Sequence, residues 1–197
     1  MPDPLRIAVP EAIETERLLL RAFRESDAPA LHEALVESLP ALRQHLGFLP
    51  WVAEEQTLES ALARCRRAAG NFLLRLDLPY LAFSRSTGRL VGSIGLHRTD
   101  WNVPRTEVGY WIRTSELGHG YATEGVRALT GWALRDVAEG GLGAQRVELV
   151  TDDRNQASRA VAERCGFALE GLLRNTMRDP DGGLSNSCVY ARVPGEG

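Results

Sequence analysis

The chain has 197 residues, of which 44% are hydrophobic and 25% are charged, and its formal net charge is −3. This length suits one domain that buries about 70% of its unfolded surface on folding, and the composition is ordinary for a soluble globular protein. The weakly acidic charge argues against a general nucleic-acid binder, which would carry a basic face. The same charge suits an amine substrate, because acidic residues near a pocket attract cations.

No segment of the sequence predicts export or membrane insertion. The N-terminal run MPDPLRIAVP lacks the apolar stretch of a signal peptide, and no window approaches a membrane span. The three cysteines, Cys65, Cys165 and Cys188, are odd in number and lack metal-ligand spacing. Reduced thiols are their simplest state. We therefore expect a cytoplasmic protein with no metal, no membrane partner and no nucleic-acid partner.

The hydrophobic pattern predicts one domain of mixed elements after an irregular start. Residues 1–14 contain three prolines and little periodicity, so we expect a loosely held N-terminal arm followed by a domain over residues 15–197. In chain order the pattern predicts a strand at 17–21, helices at 28–37, 40–46 and 57–69, strands at 78–84, 90–98 and 105–112, a helix at 121–137, a strand at 146–151, a helix at 155–165, and strands at 167–177 and 187–193. This order predicts an α+β fold.

The stretch from Arg105 to Glu124, RTEVGYWIRTSELGHGYATE, combines a strand, a glycine loop and the start of a helix. Gly118 and Gly120 turn the chain into a helix that begins at about Tyr121. Such a turn leaves several backbone N–H groups unpaired at the helix N-terminus, which is a ready phosphate site. No lysine follows Gly120, which excludes a Walker loop, and Thr123 replaces the third glycine of a dinucleotide fingerprint. Taken alone, the loop is equally compatible with a structural turn.

Several motifs resemble the GNAT acetyltransferase superfamily. The loop LGHGYA is similar to its acyl-CoA pyrophosphate loop, (Q/R)xxGx(G/A), with Leu117 where Gln or Arg is usual. The runs ETERLLLRAFRESDAPAL, EVGYWI and GYATEG, and the pairing of NQAS with GFALEG, resemble the RimJ/RimL-type branch. The resemblance extends to about Arg192. It implies a single domain with a mixed, mostly antiparallel twisted sheet of about seven strands, flanked by helices and splayed between the fourth and fifth strands.

The resemblance implies acetyl-CoA as co-substrate and a set of residues that bind it. The backbone amides of the fourth strand would pair with the pantetheine arm, and the glycine loop would bind the pyrophosphate. Asn155, at the start of the NQAS helix, would contact the arm, although helix capping explains this residue equally well. The implied cofactor-binding residues are Trp111, Ile112, Arg113, Leu117, Gly118, His119, Gly120, Tyr121, Ala122, Thr123, Asn155 and Ser158.

Acetyl transfer to an amine needs a base for the amine and an acid for the leaving thiolate. We favour Glu107 as the base, acting through water, because related acetyltransferases often carry an acidic group at this point of the strand. The alternatives are a carboxylate that only attracts the amine, and His97 as the base. Many members of the superfamily use as acid a tyrosine that is replaced here by Ala162. In the RimJ/RimL-type branch the serine of NxAS is thought to serve, which points to Ser158, although Ser158 could instead only bond the backbone near the helix start.

The resemblance therefore implies transfer of an acetyl group from acetyl-CoA to a primary amine, by direct attack in a ternary complex. A protein or peptide N-terminal α-amine is the favoured acceptor. The alternative acceptor is a small amine such as an antibiotic, a polyamine or an amino acid. A catalytically silent CoA-binding module is a further alternative, which Leu117 and Ala162 favour. The resemblance also makes a homodimer a partner to consider, although the sequence shows no interface.

Overall fold

The computed structural model describes residues 3–47, 49–179 and 182–195. The strands are β1 (Ala12–Glu14), β2 (Leu18–Ala22), β3 (Leu78–Ser84), β4 (Leu90–Asp100), β5 (Arg105–Ile112), β6 (Arg146–Asp152), β7 (Ala168–Arg178) and β8 (Leu184–Arg192). They form one sheet of eight strands in the order β1-β2-β3-β4-β5-β6-β8-β7. Among these neighbours, β5 and β6 are parallel and the other pairs are antiparallel. The expected α+β fold with a mixed, mostly antiparallel sheet is confirmed, and β1 is the additional strand.

β5 and β6 separate shortly after they meet. Their pairing runs from Arg105↔Arg146 to Glu107↔Glu148. Beyond Glu107, β5 stays paired with β4 as far as Ile112, while β6 stays paired with β8. The expected splay between these two strands is therefore present, and it opens a gap inside the sheet at their C-terminal ends.

Helices cover both faces of the sheet: α1 (Ala28–Leu46), α2 (Pro50–Ala53), α3 (Leu58–Leu73), α4 (Tyr121–Leu134) and α5 (Gln156–Arg164). The first three pack with Trp111 of β5 on one face, and α4 and α5 pack with Val108 of β5 on the other. Successive residues of a strand point to opposite faces, so β5 contributes to both layers. None of the described helices is long and apolar enough to cross a membrane.

α1 runs as one helix through Pro40, where we expected two helices. Proline has no N–H to donate to the carbonyl four residues earlier, which belongs to Val36. Pro40 and Val36 are both exposed, so water can reach that carbonyl. On the opposite side of the helix, Leu35 and Leu42 are buried in the same cluster, and this packing keeps the two halves in line.

The N-terminal segment contacts the sheet rather than forming the loosely held arm that we expected. Ala12–Glu14 pair with β2, and the side chains of Ile7 and Val9 pack against the core. The Tyr80 hydroxyl donates to the Pro10 carbonyl (2.8 Å). Three residues with one large apolar side chain give too little alternation to predict a strand. Residues 1 and 2 of the predicted arm lie outside the described residues.

Gly125, inside α4, allows this helix to lie directly against β4. A Cβ at this position would be 2.1 Å from the Ile94 Cδ1 atom, which is far inside van der Waals contact. A glycine inside a helix costs about 1 kcal/mol relative to alanine. The close approach of helix and sheet is the structural reason for this glycine.

Candidate active site

A glycine loop joins β5 to α4. After a short 3-10 helix at Thr114–Glu116, Gly118 and Gly120 adopt φ angles of 81° and 78°, in the left-handed region that favours glycine. None of the backbone N–H groups from Gly118 to Thr123 donates to an acceptor in the described part of the chain, and the first paired N–H of α4 is that of Glu124, which donates to the Gly120 carbonyl. Such donors, together with the positive end of a helix dipole, are the arrangement with which helix N-termini bind anions.

Arg17, directly before β2, holds this loop in place. Its Nη1 donates to the His119 carbonyl (2.9 Å), and its Nε and Nη2 contact the Glu124 carboxylate at 2.7 and 2.6 Å. Glu124 also accepts from the Thr15 hydroxyl (2.6 Å), and the Arg17 guanidinium lies 5.1 Å from the centre of the Tyr121 ring. Burial opposes ionisation of Glu124, but the hydrogen bonds from Thr15 and Arg17 lower its pKa. We call Thr15, Arg17 and Glu124 the loop brace.

Two side chains of the loop lie exposed beside the anion site. Leu117 is 53% exposed and supplies no donor where the motif usually has Gln or Arg. The His119 ring stacks on Tyr121 with 5.7 Å between the ring centres, while the His119 carbonyl is held by Arg17. The anion donors of the loop are therefore backbone N–H groups, and they do not depend on the side chain at 117.

The gap between β5 and β6 exposes only part of the strand that was predicted to bind the pantetheine arm. The Arg113 N–H donates to the Val91 carbonyl (2.8 Å), and backbone groups alternate in direction along an antiparallel pair. The N–H of Trp111, two residues earlier, therefore also faces β4. Those of Tyr110 and Ile112 face the gap. We predicted that the amides of Trp111, Ile112 and Arg113 face the gap, and of these three the structure leaves the Ile112 amide facing it. The amide of Tyr110 faces the gap as well.

The Arg113 side chain ties β5 to α1. Its side chain is only 4% exposed, and its guanidinium pairs with Glu33 and, at 2.6 Å, with Glu37. Glu37 also accepts from the Ser115 N–H (2.8 Å). Burial opposes ionisation of Glu37, but the hydrogen bonds from Ser115 and Arg113 outweigh it and lower the pKa of Glu37 to about 2. α1 is therefore fixed to the end of β5 from which the glycine loop departs.

The start of α5 brings Ser158 to the gap. The Asn155 side-chain oxygen accepts from the Ser158 N–H (3.0 Å), which caps the helix. The Ser158 Oγ lies 2.9 Å from the Tyr110 hydroxyl of β5. Ala162, one turn further along α5, is fully buried in the core. Asn155 therefore has a capping role in this structure, and its contact with the pantetheine arm stays a prediction.

Glu107 lies where the gap closes, as the last residue of β5 that pairs with β6. The Arg98 Nη1 contacts its carboxylate at 2.8 Å. His97, opposite Glu107 on β4, has its Nδ1 at 3.5 Å from the Asp77 carboxylate, and the hydrogen bond from His97 lowers the pKa of Asp77. Because Glu107 and Tyr110 are three residues apart on one strand, their side chains lie on opposite faces of the sheet. The two predicted catalytic residues therefore flank the gap from different faces.

Together, these elements can bind an anion at the loop, pair with an extended chain along the free edge of β5, and offer one carboxylate and one hydroxyl. Our sequence reasoning missed Arg17 as a member of the site, and it did not pair Tyr110 with Ser158. Both belong to runs that resemble the family, ETER and EVGYW. Position within such a run was the signal that could have found them.

Comparisons with known proteins relate the chain to acetyltransferases. A family model for the acetyltransferase (GNAT) domain matches residues 17–168. A ribosomal-protein-serine acetyltransferase of Escherichia coli (strain K12) is 26% identical over 182 residues, which are 91% of this chain and 94% of that protein. The uncharacterized N-acetyltransferase YoaA of Bacillus subtilis (strain 168) is 26% identical over 165 residues, 84% of this chain and 87% of its own length. Among solved structures, RimL, a ribosomal L7/L12 alpha-N-protein acetyltransferase in complex with coenzyme A, matches with a TM-score of 0.82 and 26% identity, covering 93% of this chain and 98% of RimL.

Proposed function

Since the chain belongs to the GNAT acetyltransferase family, in its RimJ/RimL-type branch, we propose that it transfers an acetyl group from acetyl-CoA to the N-terminal α-amine of a protein or peptide. The observation that carries this proposal is the run of backbone N–H groups from Gly118 to Thr123 that have no acceptor among the described residues, at the N-terminus of α4 and beside the gap between β5 and β6. Reaction at this gap is a direct attack of the amine in a ternary complex.

The residues of the loop fit the pyrophosphate of CoA. Pyrophosphate oxygens accept hydrogen bonds and carry negative charge, and the loop offers backbone N–H donors at the positive end of a helix. The backbone N–H groups from Gly118 to Thr123, with Leu117 beside them, would hold the pyrophosphate, and the loop brace would keep these donors in place. The free backbone groups of Ile112, together with Asn155, would hold the pantetheine arm.

The chemistry divides between the two faces of the sheet. The bound thioester supplies an activated acetyl group. The neutral amine nitrogen bonds the acetyl carbon, and Glu107 accepts, through a water molecule, the proton that this nitrogen then loses. The carbon–sulfur bond breaks and sulfur keeps the electron pair, while the Ser158 hydroxyl donates a hydrogen bond to that sulfur. The free Ile112 N–H faces the gap and can polarise the acetyl carbonyl.

The choice of acceptor rests on relatives and on amine chemistry. The named relatives that match nearly the full chain include a ribosomal-protein-serine acetyltransferase and a ribosomal alpha-N-protein acetyltransferase. An α-amine titrates near 8, so a useful fraction is already neutral at pH 7 to 8. A modest base such as Glu107 is sufficient for such an acceptor.

The first experiment measures release of free CoA from acetyl-CoA with three classes of acceptor. These are a peptide with a free N-terminus, the same peptide with a blocked N-terminus and one lysine, and a panel of small amines. We expect release with the free N-terminus and little with the blocked peptide. Release with small amines alone would reassign the acceptor, and retained CoA binding with no release would identify a silent binding module.

The second experiment tests the acid. Ser158→Ala removes the hydroxyl at the gap, and Ser84→Ala removes a hydroxyl that pairs with Ser86 at 3.0 Å elsewhere in the molecule. We expect Ser158→Ala to lower kcat by about a hundredfold, the lower range for a general acid, with the Kd for CoA nearly unchanged. Ser84→Ala should keep full turnover. Equal turnover in the two variants would exclude Ser158 as the acid.

A further inference from the structure

The strand edge that lines the gap also carries a phenol directed at the predicted acid. The Tyr110 hydroxyl, on β5, lies 2.9 Å from the Ser158 Oγ, on α5. Ser158 is the hydrogen-bond partner of this hydroxyl within the described part of the chain. The two side chains come from opposite sides of the gap, because β5 borders it on one side and α5 follows β6 on the other.

Either hydroxyl can donate in this contact, and the chemistry of the two groups favours one direction. A serine hydroxyl has one donor and two acceptor sites, and a tyrosine hydroxyl is the more acidic of the pair. Burial raises the pKa of Tyr110 to about 12, so the phenol keeps its proton at neutral pH. The tyrosine hydroxyl is therefore the favoured donor of the hydrogen bond to the Ser158 Oγ. The serine proton is then left to point away from Tyr110.

The position of Ser158 is fixed independently of Tyr110. Its N–H donates to the Asn155 side chain at the start of α5 (3.0 Å), which sets the backbone but leaves the hydroxyl free to rotate. Ala162, where many related enzymes carry a tyrosine, is fully buried and has no hydroxyl. The phenol of this site thus comes from the strand rather than from the helix.

We infer that Tyr110 is a positioning residue for acetyl transfer, which orients the Ser158 hydroxyl toward the leaving sulfur. This inference rests on the proposed function. In the step concerned, the amine nitrogen bonds the acetyl carbon, the carbon–sulfur bond breaks and its electron pair stays on sulfur. Ser158 donates a hydrogen bond to that sulfur while Tyr110 donates to Ser158. The proton of the amine leaves through Glu107 or water, and CoA departs as thiol or thiolate according to pH.

The kinetic test uses Tyr110→Phe, which keeps the ring packing and removes only the hydroxyl. Tyr80→Phe is the matched control, because its hydroxyl makes one comparable bond of 2.8 Å to the Pro10 carbonyl on the far strands of the sheet. We expect Tyr110→Phe to lower kcat about fivefold to tenfold, the effect of one hydrogen bond, with the Kd for CoA within about twofold of wild type. In a Ser158→Ala background, Tyr110→Phe should cause no further loss.

A second measurement needs no amine acceptor and separates this inference from the proposed function. In a complex with CoA, a hydroxyl that donates to sulfur stabilises the thiolate and lowers the thiol pKa. We expect the thiol pKa of bound CoA, followed by thiolate ultraviolet absorbance, to rise by about half a unit to one unit in Tyr110→Phe. Ser158→Ala should show a similar rise, and Tyr80→Phe none.

The outcomes distinguish the two ideas. An unchanged thiol pKa in Tyr110→Phe, or an undiminished effect of this change on kcat in the Ser158→Ala background, would overturn the positioning role. If wild-type protein releases no CoA with any amine, the proposed function fails, and the thiol pKa alone decides the role of Tyr110.

Discussion

The loop brace gives the sharpest test of how this protein binds its cofactor. Arg17→Ala removes a guanidinium that holds the His119 carbonyl and the Glu124 carboxylate. The loop would keep its sequence, its glycines and its backbone donors. If those donors bind the CoA pyrophosphate, the variant should bind CoA more weakly. Without the Arg17 contacts, the loop adopts the binding-competent conformation for a smaller fraction of the time.

The size of the effect is worked from the ion pair of Arg17 with Glu124 and its hydrogen bond to the His119 carbonyl. The Arg17 side chain is 46% exposed, so its ion pair with Glu124 counts as a surface pair, worth at most about 1 kcal/mol. The hydrogen bond to the His119 carbonyl adds about 1 kcal/mol. A total of about 1 to 2 kcal/mol corresponds to a Kd for CoA that is roughly fivefold to thirtyfold higher. Arg17→Lys should recover little of the lost affinity for CoA, because an ammonium cannot contact the Glu124 carboxylate and the His119 carbonyl with a planar fork of donors.

Isothermal titration with CoA measures the effect, and Arg66→Ala is the control. Arg66 pairs with Glu25 at 2.9 Å, so its removal takes the same charge and one surface ion pair without touching the loop brace. At 0.15 M salt, which screens the effect of losing one surface charge, we expect the Kd of this control variant for CoA to stay within about twofold of wild type. Equal changes in the two variants, or no change in Arg17→Ala, would refute the role of the brace.

Two further predictions concern stability. Gly125→Ala should destabilise the fold by about 1 to 2 kcal/mol in urea unfolding, because overpacking outweighs the gain in helix propensity. Adding Ile94→Val, which removes the crowding Cδ1 atom, should reverse most of that loss. A Gly125→Ala protein that is more stable than wild type would contradict this prediction. Because the folded-state pKa of Glu37 is about 2, below its ordinary value of 4.5, Glu37 stabilises the fold above pH 4.5 and loses this effect as pH falls toward 2. Between pH 4.5 and about 2, the melting temperature of Glu37→Gln should therefore depend less on pH than that of wild type. If the two curves of melting temperature against pH are parallel, the result counts against the ion pair with Arg113.

The parts of the fold that are encoded locally could be predicted from the sequence. Alternation over Arg105–Ile112, the glycines at 118 and 120, and the Asn155 cap each depend on residues within a few positions of one another. The helix that continues through Pro40 shows the limit of such reasoning. A proline predicts a break from its own geometry, and the tertiary packing that overrides it is not visible in the neighbouring residues.

The contacts that complete the site join distant parts of the chain, and no local pattern encodes them. Arg17 reaches the His119 carbonyl across 102 positions, and Tyr110 meets Ser158 across 48. The free amides of β5 were misassigned for a related reason. Which of two neighbouring residues faces the gap depends on the pairing register with β4, and a register is a property of two strands together.

The two-sided use of β5 has a consequence for how such a protein can evolve. The Tyr110 side chain lies on one face of the sheet, the Arg113 side chain lies on the other, and the Ile112 N–H points to the open edge. Because side chains alternate with a period of two, removing or adding one residue inside the strand would exchange the faces of everything beyond it. One genetic event would then break both the hydrogen bond to α5 and the tie to α1. Point substitutions can adjust this strand gradually, whereas changes of length are confined to the turn that precedes it, residues 101–104.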